Sequence, residues 1–202
     1  MCSPVSLPAA ATPRSTDPVL YVDDARYARL WSLWKQVSTR DTAAQIDPEG
    51  DITRLLCREA RLMDERQYDA WLSIFASECL YWIPRNAEPG DPRIESGIYL
   101  DDRRRLTDRV ALSRTGYLHA QIPASRTRRM LSNIECWTLD DGSLAARANI
   151  VIWEHRKGIT RAHPAMQVYE IVRDPAGAMV LAAKIVSLLD CDAPQGNYAF
   201  LL

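Results

Sequence analysis

The chain has 202 residues, of which 47% are hydrophobic and 25% charged, with a formal net charge of −1 at pH 7. That is ordinary globular composition at a length suited to one domain plus an extension, and the balanced charge argues against a nucleic-acid partner. No apolar run approaches the roughly 18 residues that span a bilayer, and the start MCSPVSLPAAATPRS lacks the basic region and continuous apolar core of a signal peptide. A soluble, cytoplasmic chain is expected. Its five cysteines (Cys2, Cys57, Cys79, Cys136, Cys191) show no CxxC spacing, so they read as reduced, mostly buried thiols.

Residues 1–18 hold Pro4, Pro8, Pro13 and Pro18 among Ala, Ser and Thr, a composition that buries little surface and reads as a tail. An amphipathic helical extension follows over 19–46, with Tyr27, Leu30, Trp31 and Trp34 at i, i+3, i+4 and i+7. That stripe serves either core packing or docking on a partner. The main domain is expected over 47–202. Asp47-Pro48 starts its first helix, Asp64-Glu65 interrupts it, and Tyr68, Trp71, Leu72 and Phe75 form a second, short one. CLYWI (79–83) reads as a strand stopped by Pro84, and a loop rich in Pro and Gly runs to Gly97.

Asp101 or Asp102 can cap the next helix, whose buried face would carry Leu106, Val110, Ser113 and Tyr117. From Arg126 the period becomes two, with Met130, Ser132, Ile134 and Cys136 on one face and Leu131, Asn133, Glu135 and Trp137 on the other. Strand-like runs cover 129–139, 144–156, 163–173 and 178–190, the first pair joined by Asp140-Asp141-Gly142-Ser143 and the second by Asp174-Pro175-Ala176-Gly177. Helices followed by an antiparallel meander make an α+β plan, with a sheet that must curl around the helices.

Between Asp101 and Asn133 there are eight Arg and no Lys. Arg103, Arg104 and Arg105 crowd a helix N-terminus, where the macrodipole disfavours positive charge. A charge run is ordinarily a solvated face. Exclusive use of Arg, whose planar fork binds carboxylates and carbonyls and tolerates desolvation, favours a protein interface instead.

The stretch YLDDRRRLTDRVALSRTG, with PASRTRRMLSNI after it, resembles the signature region of the small (beta) subunit of aromatic-ring-hydroxylating dioxygenases, which are Rieske non-haem iron oxygenases. REARLMDERQYDAWLSIFASECLYWIP upstream and LLDCDAPQGNYAFLL at the end are similar to that family's opening and closing segments. The resemblance covers about three-quarters of the chain and leaves the N-terminal helix unexplained. It implies a cystatin-like or nuclear-transport-factor-like cone. It also implies a non-catalytic role, in which three such chains associate and carry three catalytic alpha subunits that dihydroxylate an aromatic substrate. Electrons would come from NADH through separate carriers, and the Rieske 2Fe-2S cluster and mononuclear iron would sit on the alpha subunit. No catalytic, cofactor or metal residue is expected on this chain.

The residues agree with that division. His119, His155 and His163 form no His-x-x-His or Cys-x-His pair of the kind a Rieske centre needs. Subunit-interface candidates are Asp102, Arg103, Arg104, Arg126 and Arg128 from the Arg block, Trp82, and Tyr198 and Phe200 of the apolar C-terminal tail. Two rival readings use the same cone. A small dehydratase or isomerase would draw its acid and base from Asp64, Tyr81, Tyr117 and His119. A protein-binding scaffold would use the Arg block and aromatic tail alone.

Overall fold

The computed structural model describes residues 23–40, 50–115 and 121–193. The tail over 1–18, Asp47-Pro48, Tyr117, His119, Tyr198 and Phe200 lie outside the described residues. Helix α1 (Asp24–Val37) begins at Asp23, whose carboxylate accepts from the Arg26 N–H, and it buries Leu30, Leu33, Trp34 and Val37. The predicted aromatic stripe is rotated slightly, with Tyr27 and Trp31 only partly buried along its edges. Helix α2 (Asp51–Asp64) ends where the Asp64-Glu65 pair was expected to end it, with Ile52, Leu55, Leu56 and Met63 inward. The short α3 (Tyr68–Ser73) supplies Trp71 and Leu72, while Phe75 falls in the following strand.

Six strands form one mixed sheet, β1 (Phe75–Pro84), β2 (Gly97–Asp102), β3 (Arg126–Thr138), β4 (Leu144–Arg156), β5 (Ile159–Arg173) and β6 (Met179–Leu188), in the order β2-β1-β6-β5-β4-β3. Only β1 and β6 pair in parallel; the other neighbours are antiparallel. Helix α4 (Arg103–Arg114) follows β2 and buries Leu106 and Val110. The strand β2 was not expected. Its six residues, GIYLDD, form an edge with little buried surface and hence no alternation to read. Gly97 is required there, because a Cβ would come within 2.8 Å of the Ile83 carbonyl oxygen and 3.0 Å of Trp82 Nε1.

Both faces of the sheet are covered in part. On one face α2, α3 and α4 pack over Tyr81, Ile83, Ile150, Ile152, Tyr169 and Ile171. On the other, α1 covers Leu80, Trp82, Trp137, Ala145, Val168 and Ile185. Two-sided burial is why CLYWI is continuously apolar. The Trp34 ring meets Trp82 edge-on at 6.4 Å between centroids. Arg147 ties down the far end of α1 by donating to the Val37 and Ser38 carbonyls.

The expected parity of β3 fails at Asn133, which adopts φ 51° where the pairing register with β4 shifts between Ser132 and Glu135. This bulge turns Leu131 and then Ile134 and Cys136 toward the helix-filled face, and leaves Met130 exposed on the other. Met130 and Cys136 therefore do not share a face. Among the described residues no helix is long and apolar enough to cross a membrane.

Candidate functional site

Three places carry concentrated chemistry: the interior of the cone, the arginines around α4, and the outer face of β3 and β4. In the interior, Glu59 of α2 and Lys184 of β6 are both fully buried and joined at 2.8 Å, and Trp71 Nε1 donates to the same Glu59 oxygen at 2.7 Å. Lys184 Nζ lies 5.5 Å from the Tyr81 ring centroid and 6.0 Å from that of Tyr169, whose hydroxyl donates to the Gln167 side chain. Desolvation lowers the Lys184 pKa, with Glu59 opposing the shift, and desolvation holds the Tyr81 and Tyr169 hydroxyls well above their usual range.

These shifts set an alkaline limit. The raised Tyr81 and Tyr169 favour the folded chain fully below their unfolded pKa of about 10, and that contribution disappears as pH rises toward the folded values. Cys79, pushed up to about 11 by burial, acts in the same direction, and Lys184 in the opposite one. The urea midpoint should therefore fall between about pH 8 and about pH 11. Replacing both Tyr81 and Tyr169 with Phe should flatten the fall, and an equally steep fall would refute the assignment.

Glu59, Lys184 and Gln167 were not singled out in the sequence. A lone Glu among Arg residues on an amphipathic helix reads as solvated, and only the pairing of α2 with β6 across 125 residues turns it inward. Of the acid and base candidates for a stand-alone enzyme, Tyr81 is in this interior cluster. Asp64 is committed elsewhere, accepting from Thr127 Oγ1, the Arg129 N–H and the Arg129 guanidinium at 2.7–2.9 Å.

The Arg block divides into two groups. Asp102 caps α4 by accepting from the Arg105 N–H at 2.8 Å, and Arg104 lies 3.7 Å from Asp108 on an exposed face. Arg103 is half-buried and donates to the Leu72 and Phe75 carbonyls at 2.6 and 3.0 Å, closing the end of α3. Arg109 pairs with the buried Asp101 and stacks 4.0 Å from the Tyr99 ring centroid. Arg126 and Arg128 differ: both are exposed on the outer face of β3, and among the described residues Arg128 donates to the Thr127 carbonyl beside it. Trp82 is 1% exposed beneath α1, so a partner can reach it only if α1 moves. Arg103→Ala should accordingly cost the isolated chain about 1.5–3 kcal/mol, the range for hydrogen bonds from a charged group. Arg126→Ala and Arg128→Ala should stay within about 0.5 kcal/mol. Urea titration of the three variants separates a folding role from an assembly role.

The outer face at the Arg126 end is a groove of about 560 Å³ between the end of α2 and β3–β4, lined by Arg66, Arg126, Arg128, Trp153, His155 and Thr160 among others. Its buried lining residues are already engaged: Thr127 Oγ1 donates to Asp64 at 2.9 Å, and Glu154 accepts from Ser125 Oγ at 2.5 Å and faces His163 Nε2 at 3.4 Å. His155 Nδ1 bonds Thr160 Oγ1 at 2.8 Å. The described residues do not fit an iron centre. The His155 and His163 ring nitrogens are engaged separately, Cys79, Cys136 and Cys191 are separate buried thiols, and no three potential metal ligands converge among the described residues.

Residues 58–193 match the family of ring hydroxylating beta subunits. The 2-halobenzoate 1,2-dioxygenase small subunit of Burkholderia cepacia is 30% identical over 141 residues, covering 67% of this chain and 86% of that one. A crystal structure of the beta subunit of the benzoate 1,2-dioxygenase from Burkholderia mallei superposes with a TM-score of 0.60 at 27% identity, covering 75% of this chain and 96% of that one. An NTF2-like protein with a cystatin-like fold from Novosphingobium aromaticivorans shares the fold, with a TM-score of 0.52 at 16% identity over 89% of this chain and 95% of that one. The cone, the Arg-rich helix and strand within it, and these likenesses lead to one conclusion: the chain belongs to the ring hydroxylating beta subunit family.

Proposed function

We propose that this chain is the structural subunit of an aromatic-ring dioxygenase, holding catalytic alpha subunits in an oligomer of three alpha and three beta chains. The family match over 58–193 carries the reading. The Rieske 2Fe-2S cluster and the mononuclear iron belong to the alpha subunit in this proposal, and supply there the electron delivery and oxygen chemistry. This chain's residues bind and orient neighbours. Arg126 and Arg128 are the arginines best placed for that, being exposed and not committed to folding. Arg104 is exposed as well, while Asp102 and Arg103 serve the fold first. Tyr198 and Phe200 remain interface candidates, and Trp82 acts through α1.

The division into a tail (1–18), a helical extension (19–46) and a cone (47–202) is part of the same proposal. The packing of Trp34 on Trp82 supports α1 as a fixed cover of the sheet. An enzyme using the cone interior would need its acid and base within reach of a substrate, whereas Glu59 and Lys184 are spent on each other at zero exposure.

The test is reconstitution. The chain should co-purify with a co-expressed alpha subunit at equal stoichiometry. Turnover of an aromatic substrate with oxygen and an electron source should require the alpha chain. Turnover by the beta chain alone would overturn the reading.

A further inference from the structure

We infer that the cone interior is a binding site for a water molecule, held by three fully buried side chains: the Glu59 carboxylate, the Gln167 amide and the Tyr169 hydroxyl. Glu59 engages Lys184 and Trp71 through one oxygen, and its Oε2 has no hydrogen-bond partner among the described residues. The Gln167 amide accepts the Tyr169 hydroxyl at Oε1, and its Nε2 likewise has no partner there. Bulk solvent does not reach either atom, since both residues have zero exposure. Buried polar atoms of folded proteins are paired in the great majority of cases, with protein or with ordered water.

The three groups belong to one cluster. Gln167 and Tyr169 stand two apart on β5, so they share a face of the sheet, and their side chains bond each other. Tyr169 is paired across the ladder with Lys184 of β6, whose Nζ lies 2.8 Å from Glu59. Desolvation holds the Tyr169 hydroxyl well above its usual range, and the Glu59 charge adds to the shift. The β4 partners of Gln167 and Tyr169 are Ala148 and Ala146, both in the same interior cluster. Side chains that end at Cβ leave room beside the two larger ones.

The donors and acceptors select the ligand. A water placed here accepts from Gln167 Nε2 and donates one hydrogen to Glu59 Oε2. Its second hydrogen goes to the Tyr169 oxygen, whose own hydrogen is committed to Gln167. That makes three hydrogen bonds, about the usual number for an internal water. Turning the Gln167 amide over keeps the count: Nε2 then donates to Tyr169, Oε1 accepts from the water, and the Tyr169 hydroxyl donates to it. Ions suit the site less well. A cation would face the Gln167 N–H, an anion would face Glu59 Oε2, and the charge of Glu59 is already matched by Lys184. The bridge extends the hold of α2 from β6 to β5, so the helix is seated on two adjacent strands.

The test uses the full chain, as wild type and as Gln167→Leu/Tyr169→Phe. The double variant keeps the two side-chain volumes close to the original while removing two of the water's three partners. Magnetic relaxation dispersion of the water oxygen nucleus counts long-lived internal waters. Its amplitude in the wild type should exceed that of the variant by about one water. Circular dichroism establishes that the variant is folded. A wild-type crystal structure gives a second readout that needs no variant, and should show an ordered solvent peak within hydrogen-bond distance of both Glu59 Oε2 and the Gln167 amide. Equal dispersion amplitudes in the two folded chains would overturn the inference. So would a crystal structure with no solvent peak at that position, or with a side chain from residues 194–202 in its place.

Discussion

Replacing Lys184 with Met should destabilise the isolated chain by about 3–5 kcal/mol, the cost of removing one partner from a buried ion pair. Glu59 would keep its place on α2, fully covered, with Trp71 Nε1 as its remaining donor among the described residues. Its other oxygen, Oε2, has no hydrogen-bond partner among the described residues, so the carboxylate has no spare stabilisation to draw on there. The variant Glu59→Gln/Lys184→Met removes both charges and retains an oxygen for Trp71. It should regain most of the loss, because the penalty lies in the orphaned charge more than in the broken pair. Urea denaturation of the four chains closes a double-mutant cycle. Additive single effects would mean that the two side chains are not coupled in the folded state, and the interior as described would be wrong. Such a pair contributes little net stability compared with apolar residues of the same volume, so its consequence is the seating of α2 in the sheet.

That pair also marks where the sequence stops being informative. Leu30, Trp34, Leu106 and Val110 follow helical spacing, and the limits of β4 fall where Asp140–Ser143 and Arg156 put them, because local periodicity and turn chemistry decide those features. Three features depend on distant contacts. The short β2 exists because β1 offers it a ladder. The face of Met130 is set by a bulge at Asn133, which a strict period of two cannot register. The role of each arginine depends on what tertiary structure brings to it: Arg103 meets two carbonyls 28 and 31 residues upstream, whereas Arg126 meets none among the described residues in an identical-looking charge run. The Arg block is legible in the sequence as a single run. It could not separate arginines that hold the cone together from arginines that face outward.

Asp64 gives the sharpest test of that separation, because the enzyme reading and the fold assign it different work. Strand β3 is an edge of the sheet, and its outward N–H and C=O groups would template pairing with another chain if left bare. The end of α2 covers that edge at Arg129, whose N–H donates to Asp64 at 2.9 Å while its guanidinium donates to the same carboxylate at 2.7 Å. The Arg129 side chain is 1% exposed, and Asp64 is the carboxylate paired with it. Asp64→Ala should therefore cost about 3–5 kcal/mol, comparable to breaking the interior pair. It should also raise light scattering of the isolated chain, as the uncovered edge seeks a partner. Asp64→Asn keeps one acceptor oxygen but removes the charge opposite Arg129, and should fall between wild type and Asp64→Ala in urea midpoint. A general base would give a different pattern, in which both substitutions leave the midpoint near wild type because a solvated carboxylate in an open site holds nothing in place. Stability unchanged in Asp64→Ala would release this residue from the edge and return it to the short list of candidate bases in the cone.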